Sequence, residues 1–236
     1  MGSVGACTES RPGPPPQSWG STFNRSVPAS VLDLPLTTGS GARTDLAAYR
    51  GKVVVLADFL TLCQEVCPMT SANFEQMVQA VDKTKQAHKV IFLEITVDPQ
   101  RDVPARLAAY RKLFAPATNW ILATGTPADL ARLWKFFGVF YQRQPEGSPP
   151  AVDWWTREPL TYDIAHDDSV IFLDASGHER FLILGDPDTR GAAPPKTLVD
   201  FLDAQGRSIL ASPSRTAWTS TEGLHIVSWL LGHRIG

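Results

Sequence analysis

Residues Val53 to Leu60 form a near-continuous apolar run, and it is followed at once by Cys63-Gln64-Glu65-Val66-Cys67-Pro68. A run of that length and make-up reads as a strand buried on both faces, in the middle of a sheet covered by helices. Pro68 suits the first turn of a helix. Phe74, Met77, Val78 and Val81 carry helical spacing through Met69 to Gln86. Two cysteines therefore stand where a buried strand gives way to a helix.

The same alternation continues along the chain. Lys89 to Val97 reads as a second apolar strand ending at Asp98-Pro99, and Asp102 as the N-cap of a helix to about Phe114. Trp120 to Ala123 reads as a strand. Thr126-Pro127 opens a helix through Leu130, Leu133 and Phe137, and a short strand follows over Gly138 to Tyr141. Ser169 to Asp174, Ala175-Ser176-Gly177 and Glu179 to Leu184 make a hairpin. Pro195 to Ala204 reads as a helix and 205–219 as loop. Thr219-Ser220-Thr221-Glu222 is a capping box for a last helix over about 221–233. Upstream, Val31, Leu32, Leu34 and Leu36 suggest a short strand ending near Gly41. Residues 143–160 read as a Pro-rich insertion carrying Trp154 and Trp155, which line the mouth of a site, dock a partner or pack the insertion against the body. The fold class is α/β: a sandwich with helices on both faces of a central sheet.

Composition narrows the function. The 236 residues carry 22 basic and 24 acidic side chains, a net charge of −2 and a pI of about 6.2. Phosphate binding needs a basic excess or stripe, so no nucleic-acid partner is expected. No apolar run approaches the ~18 to 20 residues that span a bilayer. Three cysteines do not make a disulfide-rich scaffold.

The N-terminal stretch 1–28 is rich in Pro, Gly and Ser, and it reads as a disordered tether. Cys7, in Val4-Gly5-Ala6-Cys7-Thr8, loosely resembles the end of a bacterial lipoprotein signal, although the rest of such a signal is missing from this sequence. It is a possible lipid anchor, which fits a domain standing off a membrane surface.

The chemistry centres on Cys63 and Cys67. At a helix N-terminus, unpaired N–H groups and the dipole favour a thiolate. A thiolate pair is either a redox couple or a soft-metal site. The three-residue spacer gives a wider loop than Cys-x2-Cys, which suits two ligands around one ion without forbidding a disulfide. A third ligand would be a histidine. His88, His178, His225 and His233 read as helix-end, turn or helix-face residues. His166 stands just before a buried strand, where site residues in α/β sheets come from. Asp98 also ends a strand.

Three blocks together carry a resemblance. Cys63-Gln64-Glu65-Val66-Cys67-Pro68, Thr96-Val97-Asp98-Pro99-Gln100-Arg101-Asp102 and Tyr162-x-Ile164-x-His166 before a strand ending at Asp174 resemble the Sco/SenC family, over about residues 30–205. The resemblance implies a thioredoxin-like sandwich with a central mixed sheet over 29–236. It implies one copper ion, Cu(I) or Cu(II), held by Cys63, Cys67 and His166, with Asp98 near the site. It implies a copper chaperone, not an enzyme, for the dinuclear copper centre of cytochrome c oxidase. The partners would be the copper-accepting subunit or another copper chaperone. The location would be extracytoplasmic, at the outer face of the bacterial cytoplasmic membrane. A monomer is expected. Asp167-Asp168 after His166 depart from the small or apolar residue of many members.

Two thiolates suit Cu(I), an imidazole lets the site hold Cu(II), and a Cys63–Cys67 disulfide would eject the metal. The competing reading is a thiol–disulfide oxidoreductase that keeps the cysteines of a copper-accepting protein reduced, for which His166 is dispensable. A peroxiredoxin-like peroxidase is disfavoured, since no separate peroxidatic cysteine with its Thr and Arg is visible.

Overall fold

The computed structural model of the chain describes residues 11–235. Its strands are β1 (Ser21–Ser26), β2 (Leu36–Thr38), β3 (Arg43–Thr44), β4 (Val53–Phe59), β5 (Val90–Thr96), β6 (Trp120–Gly125), β7 (Tyr141–Gln144), β8 (Asp163–His166), β9 (Ser169–Leu173), β10 (His178–Leu184), β11 (Pro187–Asp188) and β12 (Trp218–Thr219). Its α-helices are α1 (Ala29–Leu32), α2 (Cys67–Asp82), α3 (Pro104–Arg111), α4 (Pro127–Phe137), α5 (Lys196–Phe201), α6 (Ala204–Ala211) and α7 (Ser220–Leu231).

Eight strands make one sheet in the order β1-β10-β9-β4-β5-β6-β2-β3. β4, β5 and β6 run parallel, and β9, β10, β1, β2 and β3 pair antiparallel, so the sheet is mixed. Every residue of β4 and β5 is buried. A strand buried at both parities needs cover on both faces, and the helices supply it. On α2 the predicted stripe Phe74, Met77, Val78 and Val81 is buried. β10 alternates instead, as a strand near the edge does.

Three expectations change. Ser21–Ser26, inside the stretch read as a tether, is the edge strand of the main sheet, paired with β10. Arg25 drives this: its guanidinium donates to Glu179 Oε2 at 2.8 and 2.5 Å and lies over the Phe136 ring. A polar-looking strand is held by one ion pair and backbone bonds rather than by an apolar face. Residues 29–32 are a helical turn, not a strand. The stretch read as loop after 205 contains α6, capped by Asp203, which accepts from Gly206 N at 2.7 Å. The capping box at Thr219 and Glu222 is formed, with Thr219 N donating to Glu222 Oε2 at 2.7 Å.

β7 and β8 form a separate two-stranded ribbon, with Tyr141 opposite His166. The insertion lies between them. This ribbon carries His166 to the mouth of the β4–α2 turn.

Candidate metal centre

β4 ends at Phe59, the chain turns through Leu60 to Val66, and α2 begins at Cys67. Met69 and Thr70 donate their N–H groups to Val66 O. The Cys67 N–H has no carbonyl partner and is aimed at Cys63 Sγ, 3.4 Å away. The one free donor of the helix start thus faces a sulfur, where it favours a thiolate. Cys63 is 8% exposed and Cys67 2%. Both are free thiols. From the ribbon, His166 Nε2 approaches Cys67 Sγ to 3.4 Å. The two sulfurs and one imidazole nitrogen lie within 4.8 Å of one another, a group able to hold a metal ion.

The other face of the imidazole is also engaged. His166 Nδ1 is 2.8 Å from Asp58 Oδ2 and 2.6 Å from Asp167 O, and Ser169 N donates to Asp58 Oδ1 at 3.0 Å. Asp58 sits in the middle of the apolar run, fully enclosed. A carboxylate on the back nitrogen fixes which ring nitrogen faces the sulfurs.

The charges are unequal. Hydrogen bonding from Cys67, and then His166, outweighs burial and holds the Cys63 thiol well below its ordinary range. Burial, then the Cys63 charge, pushes Cys67 well above it. Burial alone would lower His166, but Asp58 and the Cys63 sulfur raise it well above the usual imidazole value. The shifts share one sense: without metal the site favours negative charge on Cys63, a proton on Cys67 and positive charge on His166 beside Asp58. Glu65, Asp163, Asp168 and Asp203 line the pocket above it, together with Gln64, and among the described residues no Lys or Arg does. Burial pushes Asp168 up to about 8.

Asp98 stands elsewhere. It pairs with Arg101 Nε and accepts from Tyr162 Oη at 3.0 Å, lining a neighbouring hollow with Val97, Pro99 and Ile164. Arg101 Nη1 also donates to Tyr162 O at 2.6 Å. Asp98 therefore tethers the start of β8, and the carboxylate behind the imidazole is Asp58. Asp102 does not cap α3 either. It accepts from Thr61 N at 3.1 Å, Thr61 Oγ1 at 2.5 Å and Thr96 Oγ1 at 2.6 Å, bracing the turn before Cys63. Cys7 lies outside the described residues. Among those residues, no helix is long and apolar enough to cross a membrane.

The SCO1/SenC family model matches residues 29–192. This chain belongs to the SCO1/SenC family. The mitochondrial SCO1 homolog of Homo sapiens is 29% identical over 111 residues, 47% of this chain and 36% of that protein. The chain spans about a third to two thirds of the length of the curated relatives it matches. Three solved structures share the thioredoxin-like fold. Bradyrhizobium japonicum ScoI with copper bound has a TM-score of 0.52 at 22% identity, over 77% of this chain and 96% of that one. A SCO1/SenC family lipoprotein from Bacillus anthracis has 0.52 at 24%, over 79% and 95%. BsSco, described with a disulfide switch and as a member of the Sco family of cytochrome c oxidase assembly proteins, has 0.51 at 16%, over 77% and 94%. The SCO1/SenC match ends before α5, so α5, α6 and α7 lie beyond it.

Proposed function

We propose that this chain is a copper metallochaperone, a carrier and not a catalyst. Cys63, Cys67 and His166 hold one copper ion, Cu(I) or Cu(II), and copper is its cargo. The observation that carries this reading is the meeting of two sulfurs with an imidazole whose back nitrogen rests on a buried carboxylate. A redox pair would use that imidazole only to steady the Cys63 thiolate, whereas a metal ion takes it as a third ligand. Soft sulfur suits Cu(I) and nitrogen broadens the site to Cu(II). The ScoI relative is described with copper bound.

Loading displaces the Cys67 proton and the Nε2 proton of His166, so copper entry releases protons and weakens as pH falls. The carboxylates around the mouth offset the positive charge that enters. Release to a recipient follows from the small number of ligands: a fourth donor from the recipient competes for the ion without first displacing a protein ligand. BsSco is described as one of the cytochrome c oxidase assembly proteins, and the recipient proposed here is the copper-accepting subunit of that oxidase or another copper chaperone. The domain is proposed to act as a monomer. It works outside the cytoplasm, held at the outer face of the bacterial membrane by its N-terminal segment, with Cys7 the proposed lipid anchor. The relative from B. anthracis is described as a lipoprotein.

A second reading rests on the unequal thiols. Cys63, held as thiolate, attacks a partner disulfide, and Cys67 then closes on Cys63. The attack expels one partner sulfur as a thiolate and the closure expels the other; the partner gains two electrons, one proton from Cys67 and one from solvent, and Cys63–Cys67 is left oxidised.

The test is titration of reduced protein with Cu(I) and Cu(II), on wild type, Cys63→Ala and His166→Ala. One copper per chain is expected, with sulfur-to-Cu(II) absorption lost in Cys63→Ala and binding weakened in His166→Ala. Binding indifferent to His166 moves the assignment to the oxidoreductase.

A further inference from the structure

The turn that bears both cysteines is fixed from outside itself. Thr61, two residues before Cys63, is buried with all its polar groups engaged. Its N–H and hydroxyl go to Asp102, and its carbonyl accepts from Trp154 Nε1 at 2.7 Å. Trp154 belongs to the insertion, is 6% exposed and meets the Tyr110 ring edge-on at 6.0 Å. Its neighbour Trp155 is 41% exposed. The insertion is itself anchored: Arg106 forks onto Asp153 at 2.9 and 2.6 Å, and Asp153 Oδ1 accepts from Trp155 N and Thr156 N.

A second fixture comes from the chain beyond the family match. Asp203 N donates to Gln64 O at 3.0 Å. Gly206, in the first turn of α6, lies so close that a Cβ there would stand 2.3 Å from Gln64 O and 2.9 Å from Glu65 Cα. Only glycine permits that approach. Gln64 and Glu65 are the residues between the two cysteines.

We infer that Trp154 and Gly206 are positioning residues that lock the Cys63–Cys67 turn, so that the insertion and α6 set the spacing of the sulfurs. The inference deepens the copper reading and rests on it for its consequence, while the locking itself does not require copper. A turn left to its own bonds would sample other sulfur spacings. A buried carbonyl deprived of its donor is costly, and a methyl group forced against backbone moves that backbone.

The experiment is hydrogen exchange on reduced, metal-free wild type, Trp154→Phe, Gly206→Ala and the control Val152→Ala, an exposed side chain of the same insertion, with copper release followed alongside. The amides of Thr61, Cys63 and Cys67 are each hydrogen-bonded and report the turn. They should exchange about tenfold faster in Trp154→Phe and Gly206→Ala relative to amides of β9 and β10, and copper should leave about tenfold faster. Val152→Ala should match wild type. Should Trp154→Phe not fold, Gly206→Ala, which adds one methyl group, decides. Unchanged exchange at those amides, or a rise shared equally by the whole sheet, overturns the inference. A wild type that takes no copper refutes the proposed function instead and leaves the exchange result to decide the locking.

Discussion

His166 rests its Nδ1 on Asp58 Oδ2 at 2.8 Å while its Nε2 faces Cys67 Sγ at 3.4 Å. The first contact determines the second. With a carboxylate behind the ring, the proton of a neutral imidazole stays on Nδ1 and the Nε2 lone pair points at the sulfurs. Asp58 comes from β4, the strand that also ends in the Cys63 turn. One strand thus supplies the support for all three proposed ligands.

Asp58→Asn tests this dependence. Its amide oxygen remains able to accept from Ser169 N, which presents the NH2 group to Nδ1. Nδ1 must then accept, and the proton of a neutral ring moves to Nε2, where it opposes a metal. Copper affinity should fall about 10- to 100-fold, with little loss of folding stability, since a buried charge is removed as well. Titration beside a denaturation curve separates the two effects. Affinity equal to wild type would show that Asp167 O alone holds the ring.

Oxidation should exclude the metal. Joining Cys63 to Cys67 consumes both sulfur ligands, so the oxidised protein should take up no Cu(I), and bound Cu(I) should protect both thiols from alkylation. Mass spectrometry of alkylated protein, with and without one equivalent of Cu(I), reads this directly. Equal labelling in both samples would place the copper elsewhere.

Cys63, Cys67 and His166 were legible because each stands at a strand end in a distinctive block, and the sheet order brings those ends together. Asp58 left a signal of another kind: a lone charge in an apolar run requires a partner. Which partner it finds depends on the β4–β9 pairing, which places Ser169 and His166 beside it, and no spacing along the chain encodes that. The contacts of Asp98 were illegible for the converse reason. Its block adjoins the Cys block in the fold, but its carboxylate turns to Arg101 and Tyr162 instead. β1 was missed since five of its six residues are exposed and its anchor, Glu179, lies 154 residues away. α6 lay in the stretch read as loop: a glycine weakens helix propensity, whereas here Gly206 permits the helix to approach Gln64.

Arg25→Ala should destabilise the fold without touching the site. Glu179 is nearly inaccessible, and burial already pushes its carboxyl pKa up despite Arg25. Left alone, that carboxylate must be buried unpaired or take a proton. Because Arg25 is partly exposed, the expected cost is about 2 kcal/mol, below that of breaking a fully enclosed pair. Urea denaturation measures it. A change within 0.5 kcal/mol, a rough bound for surface substitutions, would mean that β1 is held by its backbone bonds alone.

Glu94 gives the fold a pH dependence of its own. It sits in β5 with Ser71 Oγ at 2.6 Å and Trp120 Nε1 at 2.8 Å, and burial pushes its carboxyl from 4.5 up to about 7. A raised carboxyl favours the folded state while it holds its proton. Its contribution is complete below about pH 4.5 and is lost as pH rises through about 7. The shift corresponds to about 3 kcal/mol. Asp102, raised to about 6, and Asp168, raised to about 8, act in the same sense. Glu94→Gln is neutral at every pH. Its oxygen can accept from Trp120, and its NH2 group can donate to Ser71 Oγ, which turns its own proton to Tyr110 Oη, 3.0 Å away. Between pH 5 and 7.5, in the reduced protein, wild type should lose more stability than Glu94→Gln, and the two curves should converge toward acid. Parallel curves across that window would show that Glu94 keeps its charge in the core, with Arg111 balancing it.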